Sequence, residues 1–297
     1  MMIGQLFTGY CLHLLGWRWP FVVMGVATLL VFVGVLIVLK EPVRGSSEED
    51  LSNALSNGAE LPPLTYKSYL RTILVPTTLI MLIQTIPNTI PWGVLSAHFH
   101  DILATDSNLS MERATSLIAL FGAGAAIGGL FGGVIGSKVY AVNRRMLPVL
   151  MGATMGLAAL LLQELLSIEF DNEASVQLAL PVLLLSGALA AVNGANIRVV
   201  VLNVTSPEAR GAAIATLNFV NCLGRGLGPT LAEWYMHSTQ LGRKEAVKSF
   251  MNLWLVSAVI LFVASTTFCR DEDKLKLELK RFSNSAPGTQ GHEGESI

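Results

Sequence analysis

Inside one apolar stretch, at 211–235, stand Asn218, Asn221 and Arg225, three and four residues apart, with Gly224, Gly228 and Pro229 beside them. On a helix the three polar side chains share a face. An arginine inside a bilayer costs at least about 2.5 kcal/mol on insertion scales, so it faces protein or a water-filled cavity. A guanidinium flanked by two carboxamides is equipped to attract an anionic group and hydrogen-bond around it. Two other stretches carry amides as well. Gln84 and Asn88 are four apart in a stretch that also holds Pro87 and Pro91. Asn193, Asn196 and Asn203 share a face in another, where Arg198 points elsewhere and is near enough to the end to snorkel. Two prolines in mid-stretch kink a helix and free carbonyls, and irregular backbone at membrane depth is tolerated where it lines an enclosed cavity. This is chemistry of binding. No nucleophile–base pair, metal-ligand spacing, paired intramembrane carboxylates or GxxxxGK[ST] loop is seen, so no enzyme, cofactor or metal site is read. Glu233 is the one carboxylate that proton coupling would use. His98 and His100 are not read as a metal pair, and Cys11, Cys222 and Cys269 are read as small buried hydrophobes.

These groups need apolar helices to hold them. Of 297 residues 52% are hydrophobic and 14% charged, against about 25% charged in a soluble domain. The mean hydropathy of +0.55 points the same way. A net charge of −1 with no basic binding run gives no nucleic-acid partner. Eight apolar runs predict membrane segments: 2–15, 20–39, 72–97, 114–136, 146–166, 179–203, 211–235 and 248–269. The first is short and has neither a basic region before it nor a cleavage site after it, so it is read as a partial helix and not a signal peptide. Between 46 and 63 the chain turns acidic and rich in Ser, Asn, Gly and Pro, a linker composition. After Arg270 comes DEDKLKLELKR, charged, amphipathic and read as helical, and then a tail of disordered composition.

The fourth run is the one around which the others are arranged. Gly124, Gly128, Gly132 and Gly136 recur every fourth residue and let another helix come close, because association in a bilayer rests on packing. It ends abruptly in Ser137, Lys138, Tyr140, Asn143, Arg144 and Arg145. With the central loop inside, 13 basic residues fall on that side and 5 on the other, which predicts a cytoplasmic central loop and C-terminus.

Several stretches together resemble the major facilitator superfamily. GWRWPF (16–21) is similar to the turn between its fifth and sixth helices, and KEPVRG (40–45) to the start of its central loop. GGVIGSKVYAVNRR (132–145) resembles the second copy of the signature loop G-x-x-x-D-R-x-G-R-R, with Ser137 where the acidic residue is expected and Lys138, Arg144 and Arg145 as its cations. SPEARGAAIATLNFVNCLGRGLGPTLAEW (206–234) resembles spinster-type members. The resemblance implies an all-α polytopic bundle of about eight helices, the first partial, corresponding to helices five to twelve. It divides the chain into 1–45 (end of the N-terminal half), 46–71 (central loop), 72–270 (C-terminal half) and 271–297 (tail, largely disordered). It also implies that helices seven and ten line a central cavity, and that the glycine face is a rocking contact with helix five.

The reading is a secondary transporter of a small organic solute or lipid-like anion by alternating access. Gln84, Asn88, Asn193, Asn196, Asn218, Asn221 and Arg225 would bind the solute, and Gly124, Gly128, Gly132 and Gly136 would gate it. On this mapping helices one to four are not in the chain, so the partners are the solute, the bilayer and a missing N-terminal half. The rivals are a transport-incompetent fragment or isoform and a membrane receptor or scaffold.

Overall fold

The computed structural model describes residues 16, 18–39, 65–107, 109–170 and 173–285. The run at 2–15, Cys11, Trp17, the KEPVRG stretch, the linker at 46–63, Asn108 and the tail beyond 285 lie outside them. The described residues are almost entirely helical, with no strand among them.

The chain divides into two compact units, at Met1–Ser46 and Ser47–Ile297. In the first, α1 (Trp19–Val38) starts with Pro20 in its first turn, where the missing N–H costs nothing. Its 20 residues span about 30 Å, the thickness of a bilayer's hydrocarbon core. Apolar side chains face outward all round it, as they do on a helix whose solvent is lipid.

The second unit opens with the short α2 (Tyr66–Ile73), whose N-cap Thr65 accepts from the Ser68 amide at 3.2 Å. Six longer helices follow: α3 (Pro76–Asp101), α4 (Met111–Val142), α5 (Met146–Leu165), α6 (Glu173–Asn203), α7 (Arg210–Thr239) and α8 (Arg243–Ser285). Each boundary has a local cause. α3 opens on Pro76 and closes in a π-helical turn, Ile102–Asp106. α4 is N-capped by Ser110, and α7 ends where Gln240 turns left-handed at φ 56°. Among the described residues six helices are long and apolar enough to cross a membrane: α1, α3 with its π turn, α4, α5, α6 and α8. The seventh run does form a helix, α7, but its amides, arginine and glycines leave it short of that mark.

Neighbouring helices pair in both directions: α4 runs parallel to α6 and α3 to α7, whereas α8 runs antiparallel to α3. α4 pairs with α6, α6 with α5, α5 with α8, α8 with α3, and α3 with α7. Two of these pairs are in backbone contact. A β-carbon on Gly124, Gly128 or Gly136 would strike Leu184, Ala188 or Asn196 of α6, and one on Gly132 would lie 3.1 Å from Val192. The expectation that this glycine face turns to helix five is therefore corrected. All four glycines are filled by α6 of the same unit, because small residues on α4 meet the ridge Leu184–Ala188–Val192–Asn196 at a four-residue period. The open side of α4 carries a different pair, Gly129 and Gly133, with nothing within 4 Å. α3 and α7 cross as closely, where Gly93 meets the Arg225 carbonyl and a β-carbon on Gly228 would lie 2.6 Å from that of Ile90.

α8 does not stop at Arg270. It continues as helix through 285, across the segment DEDKLKLELKR that the sequence reads as helical. Burial explains the continuation: Asp271 and Glu272 are enclosed against α3 and α4.

Candidate functional site

Two apolar clusters fill the second unit. One contains Trp254, Phe99, Phe121, Leu162 and Leu183, the other Met81, Met151, Val200, Leu261 and Phe268. Between them lies a polar layer. Gln84 of α3 is fully buried, and its Oε1 accepts from Ser257 Oγ of α8 at 2.9 Å and from Asn193 Nδ2 of α6 at 3.4 Å. One turn along, the main-chain carbonyl of Asn88 accepts from Trp254 Nε1 at 2.9 Å. Three atoms of the layer have no hydrogen-bond partner among the described residues: Gln84 Nε2, Asn88 Oδ1 and Asn193 Oδ1. Each such buried orphan costs about 1–3 kcal/mol.

Asn196 is also buried, but its amide is engaged. Nδ2 donates to the carbonyls of Gly132 and Val192, both at 2.9 Å, which ties α6 to the glycine helix.

The other three residues of the expected site stand apart from this layer. Arg225 is exposed on α7, with its guanidinium 5.5 Å from the centroid of the Trp92 ring. Trp92 in turn packs on Trp254 and Phe121, with centroids 5.6 and 5.7 Å away. The cation thus rests on an aromatic face that the core holds still. Asn218 is exposed and accepts from Arg198 Nη2 at 3.4 Å. Asn221 is half-buried. The seven residues fall into an enclosed set (Gln84, Asn88, Asn193, Asn196) and an open-faced set (Asn218, Asn221, Arg225), with Trp92 and Trp254 bridging the two. Arg198, read as a snorkelling side chain, belongs with the second set through Asn218.

The signature loop forms a second polar centre at the end of the bundle. Ser137 turns its hydroxyl to the Gly133 carbonyl of its own helix at 2.9 Å. The acid absent from that position arrives from α8. Glu272 receives the Tyr140 hydroxyl, Lys276 Nζ at 2.7 Å and Arg144 Nη1 at 3.4 Å, and Arg144 also holds Asp273 at 2.7 Å. The hydrogen bond that Arg144 donates to Asp273, then the charge of Glu272, raises the pKa of Arg144 above the ordinary arginine range. Next to it, Asp271 Oδ2 accepts from the Thr77 amide at 3.0 Å and from its hydroxyl at 2.8 Å, capping α3 with a carboxylate. A cleft of about 520 Å³ opens here, lined by Asn143, Arg144, Arg145, Asp273 and Lys276 among others. Lys138 and Arg145 are exposed.

Sequence reasoning missed Ser257, which is a lone serine in an apolar run, and Trp254. It also missed Glu272 and Asp271, although a serine in the acidic slot of the loop was a signal that an acid would have to come from elsewhere.

The sequence profile of the Major Facilitator Superfamily matches residues 1–229 and, again, 74–283. The chain belongs to that superfamily. A search of curated protein sequences found no match. Among solved structures, the chain is similar to a crystal structure of a bacterial homolog to the human lysosomal transporter Spinster, in an inward-facing and unoccupied conformation. The TM-score is 0.59 at 18% identity, over 90% of this chain and 66% of that one. At that identity the likeness is one of fold, and this chain spans about two thirds of that structure's length. The superfamily is one of membrane transporters, which sets the chain among integral multi-pass proteins and away from enzymes.

Proposed function

We propose that the chain acts in a secondary transporter that moves a small organic solute or lipid-like anion by alternating access, as spinster-type members of its superfamily would. One observation carries this reading: the polar layer of Gln84, Asn88, Asn193 and Ser257, buried between two apolar clusters with three polar atoms left unpartnered. Packing alone does not favour such a layer, whereas a solute's polar group that completes it would repay its cost.

Arg225 on Trp92 supplies the attraction for the anionic part of the solute, and Asn218 and Asn221 lie on the same helix for its polar parts. Asn196, with its amide nitrogen engaged, contributes its Oδ1 or serves as a tie between helices. In this reading the central loop and the C-terminus are cytoplasmic, as the distribution of Lys and Arg argues. The domain boundaries, in the same reading, follow the superfamily's two halves.

The test is uptake of a panel of radiolabelled organic anions, lysolipids among them, into liposomes that hold the protein. Arg225→Ala should lower uptake of the transported anion by tenfold or more, on the order of the loss of one charge-assisted contact. Equal uptake by Arg225→Ala and the unsubstituted protein would remove Arg225 from the site.

A further inference from the structure

His98 sits on α3 beyond its close crossing with α7, and it is 6% exposed. Its Nε2 has no hydrogen-bond partner among the described residues. The nearest carboxylate oxygen is Oε1 of Glu233 on α7, 3.8 Å away, on a side chain that is 68% exposed. A buried imidazole nitrogen, unpartnered and facing a carboxylate of the neighbouring helix, is set up to gain one particular ligand.

The other charged groups around this end are already engaged or lie outward. Asp101, beyond His98 on α3, and Asp106 in the π turn both face Arg243 of α8, at 3.6 and 3.7 Å, and His100 leans on Asp101 at 3.9 Å. On α4 and α6, Arg113 pairs with Glu173 at 2.6 Å. Glu112 of α4 and His237, one turn beyond Glu233 on α7, are exposed. Among the described residues, Glu233 alone stands within ion-pair distance of His98.

We infer that His98 and Glu233 form a proton-binding site that fastens α3 to α7. A proton from solvent bonds to the imidazole nitrogen, the ring becomes a cation, and its N–H donates to Glu233 Oε1. No other bond is made or broken. When the proton leaves, the carboxylate loses its counter-charge and the seam keeps the crossing at Gly93, Gly224 and Gly228 and the Arg225–Trp92 contact. Imidazole is the side chain whose charge ordinarily changes between pH 5 and 8, which makes it the fitting partner for a proton here. The site is distinct from the polar layer around Gln84 and from Arg225, and it stands without the transport reading, since the ligand is the proton itself.

The experiment is nitrogen-15 NMR of the full chain labelled at histidine, in lipid nanodiscs, between pH 5 and 8. The chain has five histidines, and the His98 ring signals are those lost in His98→Gln. They are expected to change from the neutral to the doubly protonated pattern on acidification. In Glu233→Gln, whose site is exposed and leaves packing intact, the protonated-to-neutral ratio at a fixed pH should fall several-fold. A ratio unchanged by Glu233→Gln, or a His98 ring that keeps one state from pH 5 to 8, would overturn the proposal. If His98→Gln fails to fold, His98 is assigned as the one ring that responds to Glu233→Gln, and five rings of which none responds would overturn the proposal equally. No solute enters the measurement, so its outcome is separable from that of the uptake test.

Discussion

Gly128 and Ala188 meet backbone to backbone: a β-carbon placed on Gly128 would overlap the Ala188 carbonyl oxygen. Nothing soft stands between them. Gly128→Leu should therefore force α4 and α6 apart and cost about 1–3 kcal/mol or more, as overpacking does in cores. Gly129→Ala and Gly133→Ala, which face open space, should leave stability unchanged and set the comparison. Thermal unfolding of the purified proteins in one detergent checks the contrast. Equal melting of all three variants would mean that the α4–α6 contact yields easily.

The polar layer makes a prediction about pairs. Ser257→Ala removes the donor that Gln84 Oε1 holds at 2.9 Å and should cost about 1 kcal/mol. Replacing both partners, with Gln84→Leu added, should recover part of that loss, because the unpartnered Gln84 Nε2 goes too while Asn193 Nδ2 loses its acceptor. A denaturation cycle over the four proteins measures the coupling. Strict additivity would show that the two side chains do not act together.

Glu272 is 1% exposed and is held by Tyr140, Arg144 and Lys276. Glu272→Ala should cost about 3–5 kcal/mol, since it strands partners organised around a buried carboxylate. Tyr140→Phe, which removes one hydroxyl, should cost about 1 kcal/mol. Loss of folded protein on size-exclusion chromatography after graded heating would rank the two.

The same cluster fixes a sign for pH. The pKa of Arg144 is raised, so its contribution to stability is fully present below the unfolded arginine value and is lost only as pH climbs through a still higher folded one. Alkaline conditions up to pH 10 should therefore leave the Arg144–Asp273 bridge intact. Arg144→Lys should weaken it there, because lysine begins to lose its charge near pH 10. Melting curves of the two proteins at pH 8 and 10 test this, and a parallel fall in both would contradict it.

Asp271→Ala should fray the start of α3, where Asp271 takes the Thr77 amide and hydroxyl, at about 0.5–2 kcal/mol. Asp271→Asn keeps an acceptor and should lose less. Hydrogen exchange at the first turn of α3 reads the difference, and equal protection in the two variants would remove the cap.

Several features were legible before any coordinates. Continuous apolar runs gave the helices of the second unit, because a chain that must satisfy its backbone within lipid has little choice but helix. Fourfold spacing gave the glycine face, amide spacing gave Gln84 with Asn88 and Asn193 with Asn196, and the family resemblance joined the two pairs. Spacing reports which face a residue occupies and how deep it lies, but not which helix stands opposite. That is why the glycine face was assigned to the wrong neighbour and why Arg198 was not connected to Asn218. A single hydroxyl such as Ser257 has no period at all. Glu272 and Asp271 were hidden differently: in a strongly charged segment, nothing in the one-dimensional pattern separates two enclosed carboxylates from their solvated neighbours.

α8 is one unbroken helix of 43 residues, about 65 Å long and so roughly twice the depth of the hydrocarbon it crosses. It bears Ser257 of the polar layer about a third of the way along and Lys280 about 35 Å further along the same rod. A stiff rod gripped part-way along is a lever. Any load on the projecting segment, from another protein or a lipid surface, is delivered as torque to the Ser257–Gln84 hydrogen bond, with Glu272 and its three partners as the fulcrum.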